Sequence, residues 1–251
     1  MGNLHQGHLD LVHKASYVSD IVVVSIFVNP MQFGPHEDFD TYPRTLEADC
    51  KTLTNHPCDA VFAPTVREIY PRGVSTEIDL PSLTTILCGY HRPGHFKGVA
   101  TVVAKLLNIV QPDVAVFGNK DYQQLQVIQT MVADLLIPVT IVAADTTRET
   151  SGLAMSSRNA YLSAEEKETA AMLYATLKRI GDALRSGSQV STILRQEKER
   201  LTAAGFVLDY LEIRDAQDLS KSYVEATSAV ILVAAKLGRA RLIDNLVIEL
   251  K

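Results

Sequence analysis

Two imidazoles open this chain at a spacing that can do chemistry. Met1-Gly2-Asn3-Leu4-His5-Gln6-Gly7-His8 sets His5 and His8 three positions apart, which on a helix puts them on one face. Gly7 has no side chain and lets a ligand approach the backbone between them. Leu9, Leu11, Val12 and Ala15 follow at mostly helical spacing, with Asp10, His13 and Lys14 between them. Both histidines therefore fall in the first turn, where free N–H groups and the positive dipole end favour an anion such as a phosphate. Zinc is a competing ligand, but it needs three or four donors, and no nearby Cys or acid completes a spacing. A pair of ordinary surface histidines is the third reading.

Three later stretches carry the same kind of residues. Asn29-Pro30-Met31-Gln32-Phe33-Gly34-Pro35 holds two amides in a loop broken by prolines and a glycine. A turn-forming Asn and a solvated Gln would explain them equally well. Gly118-Asn119-Lys120-Asp121-Tyr122-Gln123-Gln124 turns the chain at a glycine and starts a helix with charged residues; Lys120 suits a phosphate, and Asp121 is a good helix cap. Ser151-Gly152-Leu153-Ala154-Met155-Ser156-Ser157-Arg158-Asn159 is a polar loop with two adjacent hydroxyls, an arginine and an amide. Arg92, beside the turn Pro93-Gly94, can grip a carboxylate or phosphate in bidentate fashion, cap a helix end or pair with a local acid.

The elements that must position these residues alternate. Residues 21–28 are nearly all apolar and β-branched, as in a parallel strand buried on both faces. A helix from Pro43 to about Asn55, a strand at 59–63, an irregular stretch at 64–98 and a helix at 101–110 follow. A strand at 114–117, a helix to about Leu135 and a strand at 139–143 close the series. In such a sheet, ligands meet the carboxyl ends of the strands, where the Asn29 and Lys120 loops lie. Helices at 164–185 and 193–204, then strands at 205–214, 229–237 and 241–250 with Gly238 in a turn, predict a second, α+β domain. The expected fold is α/β: a Rossmann-like parallel-sheet domain over 1–146 and a smaller α+β domain over 147–251.

Composition excludes several classes. With 251 residues, 47% of them hydrophobic and 21% charged, the chain reads as an ordinary globular protein of one or two domains. A net charge of −5 without a dense Lys/Arg run argues against nucleic acid. The longest apolar runs are too short to span a bilayer, and the start has no signal-peptide pattern. Cys50, Cys58 and Cys88 show no metal or disulfide spacing, which suits small buried hydrophobes in a reducing cytoplasm.

MGNLHQGH, SIFVNPMQF, YPRTLEAD, RPGHF, FGNKDYQQL and GLAMSSRN, in this order and with RLIDN near the end, resemble the pantothenate synthetases, the pantoate–β-alanine ligases. The histidine element alone points only to nucleotidyl-transferring α/β enzymes; the others are more specific. The resemblance implies adenylation of pantoate by ATP, then attack of β-alanine on the acyl carbon. It places His5, His8 and Lys120 in the chemistry, with His8 as proton donor. It places Met1, Gly2, Asn3, Leu4, Gln6, Gly7, Gly118, Asn119, Asp121, Thr147, Met155, Ser156, Ser157 and Arg158 around ATP. Asn29, Gln32, Gln124 and Arg92 fall at the acid substrate. Mg²⁺ is implied on the ATP phosphates rather than in a protein cage, and a cytoplasmic homodimer is implied, with the second domain as a lid over ATP. Asn119, where the family has an acid, and Asp145, where proline is common, depart from the pattern. Members also carry a strand before this methionine, so the chain as written is expected to be a fragment, inactive or aggregation-prone. The alternatives are a nucleotidyltransferase of the same superfamily and a non-catalytic nucleotide-binding protein.

Overall fold

The computed structural model describes residues 2–35, 37–187 and 189–250. Their contacts divide into two compact units, Met1–Asn119 with Gln123–Asp145, and Lys120–Tyr122 with Thr146–Lys251.

The first unit begins with α1 (Gln6–Ser16), whose apolar face buries Leu9 and Val12. His13 and Lys14 lie in its last turn, where the helix dipole favours positive charge. Parallel strands follow as two separate pairs: β1 (Val23–Ser25) with β2 (Ala60–Phe62), and β3 (Val114–Gly118) with β4 (Thr140–Ala144). Val22, Val24 and Ile26 pack with Leu9, Val12 and Leu53 into one apolar cluster. The strand expected over 21–28 is regular for three residues only; Ile21 is 70% exposed, and beyond Ile26, which still donates to the Phe62 carbonyl, the chain turns into the Asn29 loop.

Two further expectations need correction here. The helix placed from Pro43 is α2 (Leu46–Leu53), because the Thr45 carbonyl accepts the Asp49 N–H and sets the first turn there. The stretch 64–98 is not irregular throughout. It holds α3 (Val66–Ile69), α4 (Pro81–Thr84), α5 (Cys88–His91) and the start of α6 (His95–Val110). α3 is closed by a capping box in which Thr65 Oγ1 accepts the Glu68 N–H and Glu68 Oε2 accepts the Thr65 N–H. α7 (Tyr122–Asp134) completes the alternating series.

Among its described residues the second unit holds the α-helices α8 (Ala164–Ala170), α9 (Met172–Arg185) and α10 (Val190–Ala203), and an antiparallel sheet of order β5 (Val207–Asp215), β6 (Ser228–Leu237), β7 (Ala240–Glu249). β6 is central and almost wholly buried. α9 presents Leu173, Leu177 and Ile180, at spacings of four and three, to a core shared with Ile231, Val233 and Ile248. Gly238 takes φ +53 in the tight β6–β7 turn, a conformation glycine adopts without a Cβ penalty. The chemistry of the sequence is thus spread over strand ends of the first unit and a loop-and-turn region of the second.

Candidate active site

His5 caps α1 in an extended conformation, and its backbone N–H donates to Nδ1 of His8 at 3.3 Å. Nδ1 of His8 is therefore the acceptor, which leaves Nε2 as the nitrogen that carries a proton. The two rings stack with centroids 4.0 Å apart. The turn before them depends on Asp49, a residue the sequence reading passed over. This aspartate is 3% exposed, and its oxygens accept the N–H groups of Asn3 and Leu4 at 2.9 and 2.8 Å and the Thr45 hydroxyl at 3.2 Å. Asn3 is thereby held at φ +52. The signal was present: Asp49 stands four positions before buried Leu53, on the apolar face of α2. Met1 lies outside the described residues.

Asn29 and Gln32 are joined. Asn29 Nδ2 donates to Gln32 Oε1 and to the Gly98 carbonyl, both at 3.0 Å. Its Oδ1 accepts from the Tyr70 hydroxyl at 2.9 Å and from the Met31 N–H at 3.3 Å. Gly98 makes this possible, since a Cβ there would run into the Met31 carbonyl. Gln32 keeps Nε2 without a protein acceptor among the described residues, whereas Asn29, 2% exposed, has all four hydrogen-bonding positions filled. Asn29 therefore holds Gln32 through its side chain.

Arg92 likewise belongs to the frame. Nε and Nη2 each meet a Glu37 carboxylate oxygen at 2.6 Å, Nη1 donates to His95 Nε2 at 3.0 Å, and Nη2 reaches the Gln32 carbonyl at 3.2 Å. His95 then carries its proton on Nδ1 and donates it to the same carbonyl at 2.8 Å. Burial alone would raise the Glu37 carboxyl, but the hydrogen bonds and charge of Arg92 outweigh it and hold the group below its usual value. Arg92 pairs with an acid, as one of the sequence options had it, but Glu37 lies 55 positions away and is not the local partner expected.

Gly118 ends β3, and the 3-10 turn Asn119–Asp121 leads into α7. Lys120 Nζ lies 3.8 Å from Asp121 Oδ2, and its carbonyl accepts from Asn245 Nδ2 at 3.0 Å. The adjacent glutamines differ in kind. Gln123 is buried and spent: Oε1 accepts the Cys88 N–H, and Nε2 donates to the Leu83 and Ile86 carbonyls. Gln124 is half-buried, with no side-chain partner in the protein among the described residues.

In the second unit, the loop of Thr147 and Met155 closes on itself, the Met155 N–H donating to the Thr147 carbonyl at 2.9 Å. Its anchor is Arg148, bidentate to Asp244 at 2.7 and 2.9 Å, with its guanidinium 3.6 Å above the Tyr174 ring. Ser156 caps the 3-10 segment Ser157–Tyr161 by accepting the Arg158 N–H at 3.2 Å. Asn159 is buried and donates to Glu149 and the Ala154 carbonyl. Ser157 and Arg158 follow a rigid frame on a half-buried face. No group of three His, Cys, Asp or Glu able to hold a metal occurs among the described residues.

A family model described as pantoate-beta-alanine ligase matches residues 1–247. The chain belongs to that family. Pantothenate synthetase of Shewanella oneidensis is 55% identical over 248 residues, 98% of this chain and 88% of that protein. The Idiomarina loihiensis pantothenate synthetase is 57% identical over the same shares. Among solved structures, pantothenate synthetase from Thermus thermophilus superposes with a TM-score of 0.94 at 47% identity, covering 98% of this chain and 90% of that one. The pantoate-beta-alanine ligase of Francisella tularensis, solved with a β,γ-ATP compound and β-alanine, gives 0.83 at 36% identity over 98% and 86%. Within this ligase family, the α/β architecture read from the sequence holds. The frame residues Glu37, Asp49, Tyr70, Arg148 and Asp244 were given no role in that reading, although Asp49 and Asp244 fall inside the quoted YPRTLEAD and RLIDN stretches.

Proposed function

We propose that this chain condenses pantoate with β-alanine at the expense of ATP, through an acyl-adenylate. The match over residues 1–247 carries this reading. A carboxylate oxygen of pantoate attacks the α-phosphorus; the P–O bond to pyrophosphate breaks, and pyrophosphate leaves. The amine nitrogen of β-alanine then attacks the acyl carbon, the C–O bond to AMP breaks, and the amine loses a proton. No protein nucleophile is needed, so positioning and charge stabilisation dominate.

The roles are those that the family resemblance gives these positions. His8 offers its Nε2–H, and His5 beside it, to ATP phosphate oxygens at the amino end of α1, where Gly2, Asn3, Leu4, Gln6 and Gly7 contribute backbone. Lys120 neutralises charge on the phosphates; Gly118, Asn119 and Asp121 border the ribose. Thr147 takes the adenine, and Met155, Ser156, Ser157 and Arg158 the phosphates. Gln32 and Gln124 hold pantoate. Mg²⁺ enters as part of the ATP substrate, since a small hard ion is readily carried by phosphates and water. A homodimer in the cytoplasm completes the proposal. No helix among the described residues is long and apolar enough to cross a membrane.

The test is a partial reaction. Pantoate alone, without β-alanine, should support exchange of label between pyrophosphate and ATP. Exchange that strictly requires β-alanine would refute the stepwise route, and exchange driven by a nucleoside monophosphate would mark a nucleotidyltransferase instead.

A further inference from the structure

We propose that Tyr70 is a positioning residue: through Asn29 it fixes the Gln32 amide with both N–H donors turned to the acid substrate, and so sets a preference for an oxygen acceptor there. The inference rests on the assignment of Gln32 to pantoate.

The sense of both amides is decided by main-chain groups that cannot exchange roles. The Met31 N–H can only donate, so the Asn29 atom facing it is the oxygen. The Gly98 carbonyl can only accept, so the Asn29 atom facing it is the nitrogen. The second hydrogen of that nitrogen goes to Gln32, which must answer with Oε1. Gln32 Nε2 is left as the outward end, carrying two donors and no acceptor. A carboxylate or hydroxyl oxygen satisfies it; an ammonium or amide N–H does not.

Tyr70 supplies the short bond in this relay, 2.9 Å against 3.3 Å from Met31. Its ring is 7% exposed, and burial pushes its hydroxyl up to about 12, so it remains a donor at neutral pH. The ring is held independently of the hydroxyl. Lys105 Nζ sits 4.8 Å from its centroid while donating to the Ile69 carbonyl at 2.7 Å, and Phe27 packs at 6.4 Å. A phenylalanine can therefore occupy the place with its packing intact, and only the relay loses its anchor.

Pantoate-dependent pyrophosphate exchange reads the effect. Tyr70→Phe should raise the KM for pantoate about tenfold, the worth of roughly 1.4 kcal/mol, and leave the KM for ATP and the melting temperature nearly unchanged. Asn29→Asp keeps both acceptor contacts but cannot donate, so Gln32 must turn Nε2 inward and present Oε1 to a carboxylate; the rise should be larger. In a Gln32→Ala background, Tyr70→Phe should add nothing to the pantoate KM. An unchanged KM in Tyr70→Phe, or an equal tenfold effect without Gln32, would overturn the relay. Absence of exchange in the unaltered protein would instead strike the functional reading itself.

Discussion

At the scale of single residues, the site separates groups that meet a ligand from groups that hold them. Lys120 is the clearest case of the first kind, because Asn245 holds its backbone and, among the described residues, Asp121 at 3.8 Å is the one ion-pair partner of its ammonium. Charge builds on phosphate oxygens as pyrophosphate departs, so this ammonium should matter more in the transition state than in ATP binding. Lys120→Ala is expected to lower kcat by about two to three orders of magnitude with a modest change in the KM for ATP. Near-normal turnover of the purified variant would dismiss the role. The histidine pair was legible because three-residue spacing is a helical signal. Asn29 and Arg92 were legible as polar residues at a loop, but not as frame: their partners Tyr70 and Glu37 lie 41 and 55 positions away, and no local pattern reports such a pairing.

At the scale of elements, regular patterns were readable and interrupted ones were not. The β5–β6–β7 sheet shows apolar runs and a Gly238 turn. α6 was read six residues short, beginning past Gly98, whose missing side chain permits the close approach to Met31. Thr65-Val66-Arg67-Glu68 is a capping box that could have announced α3. The α9–α10 pair contains a feature no periodicity shows. Glu197 is 1% exposed, yet accepts from Thr176 at 2.9 Å and from Arg179 at 2.8 and 2.7 Å, with Arg200 at 3.3 Å. Burial would raise its carboxyl, but Arg179 and Thr176 overcome this and bring it below 4.5. A depressed carboxyl stabilises above its unfolded value and loses that contribution as pH falls through the folded one. The stability that this carboxylate contributes should therefore be lost as the pH falls below the ordinary glutamate range. Arg179→Ala, which leaves a buried carboxylate with less compensation, should cost about 2–4 kcal/mol at neutral pH. A loss below about 0.5 kcal/mol in chemical denaturation would show the pair to be energetically idle.

At the scale of the whole molecule, each unit has apolar packing of its own. Leu9, Val12, Val24 and Leu53 cluster in the first, and Leu177, Ile180, Ile231 and Val233 in the second. The change from alternating strands and helices to consecutive strands is the sequence feature from which a second domain after residue 146 was expected. The residues Lys120–Tyr122 that group with the second unit were not separable by pattern; their partners there, Asn245 to the Lys120 carbonyl and the Ala216 carbonyl to the Tyr122 hydroxyl at 2.6 Å, lie far along the chain. Separate cores predict separable responses to damage. Asp49→Ala strips two half-buried N–H groups of their acceptor, at about 1 kcal/mol each, and should lower a thermal transition by a few degrees for a unit of this size. Arg179→Ala should lower a transition by a similar amount. Calorimetry should resolve two transitions, with Asp49→Ala shifting one and Arg179→Ala the other. A single transition that both variants displace equally would show that the two cores melt as one cooperative body.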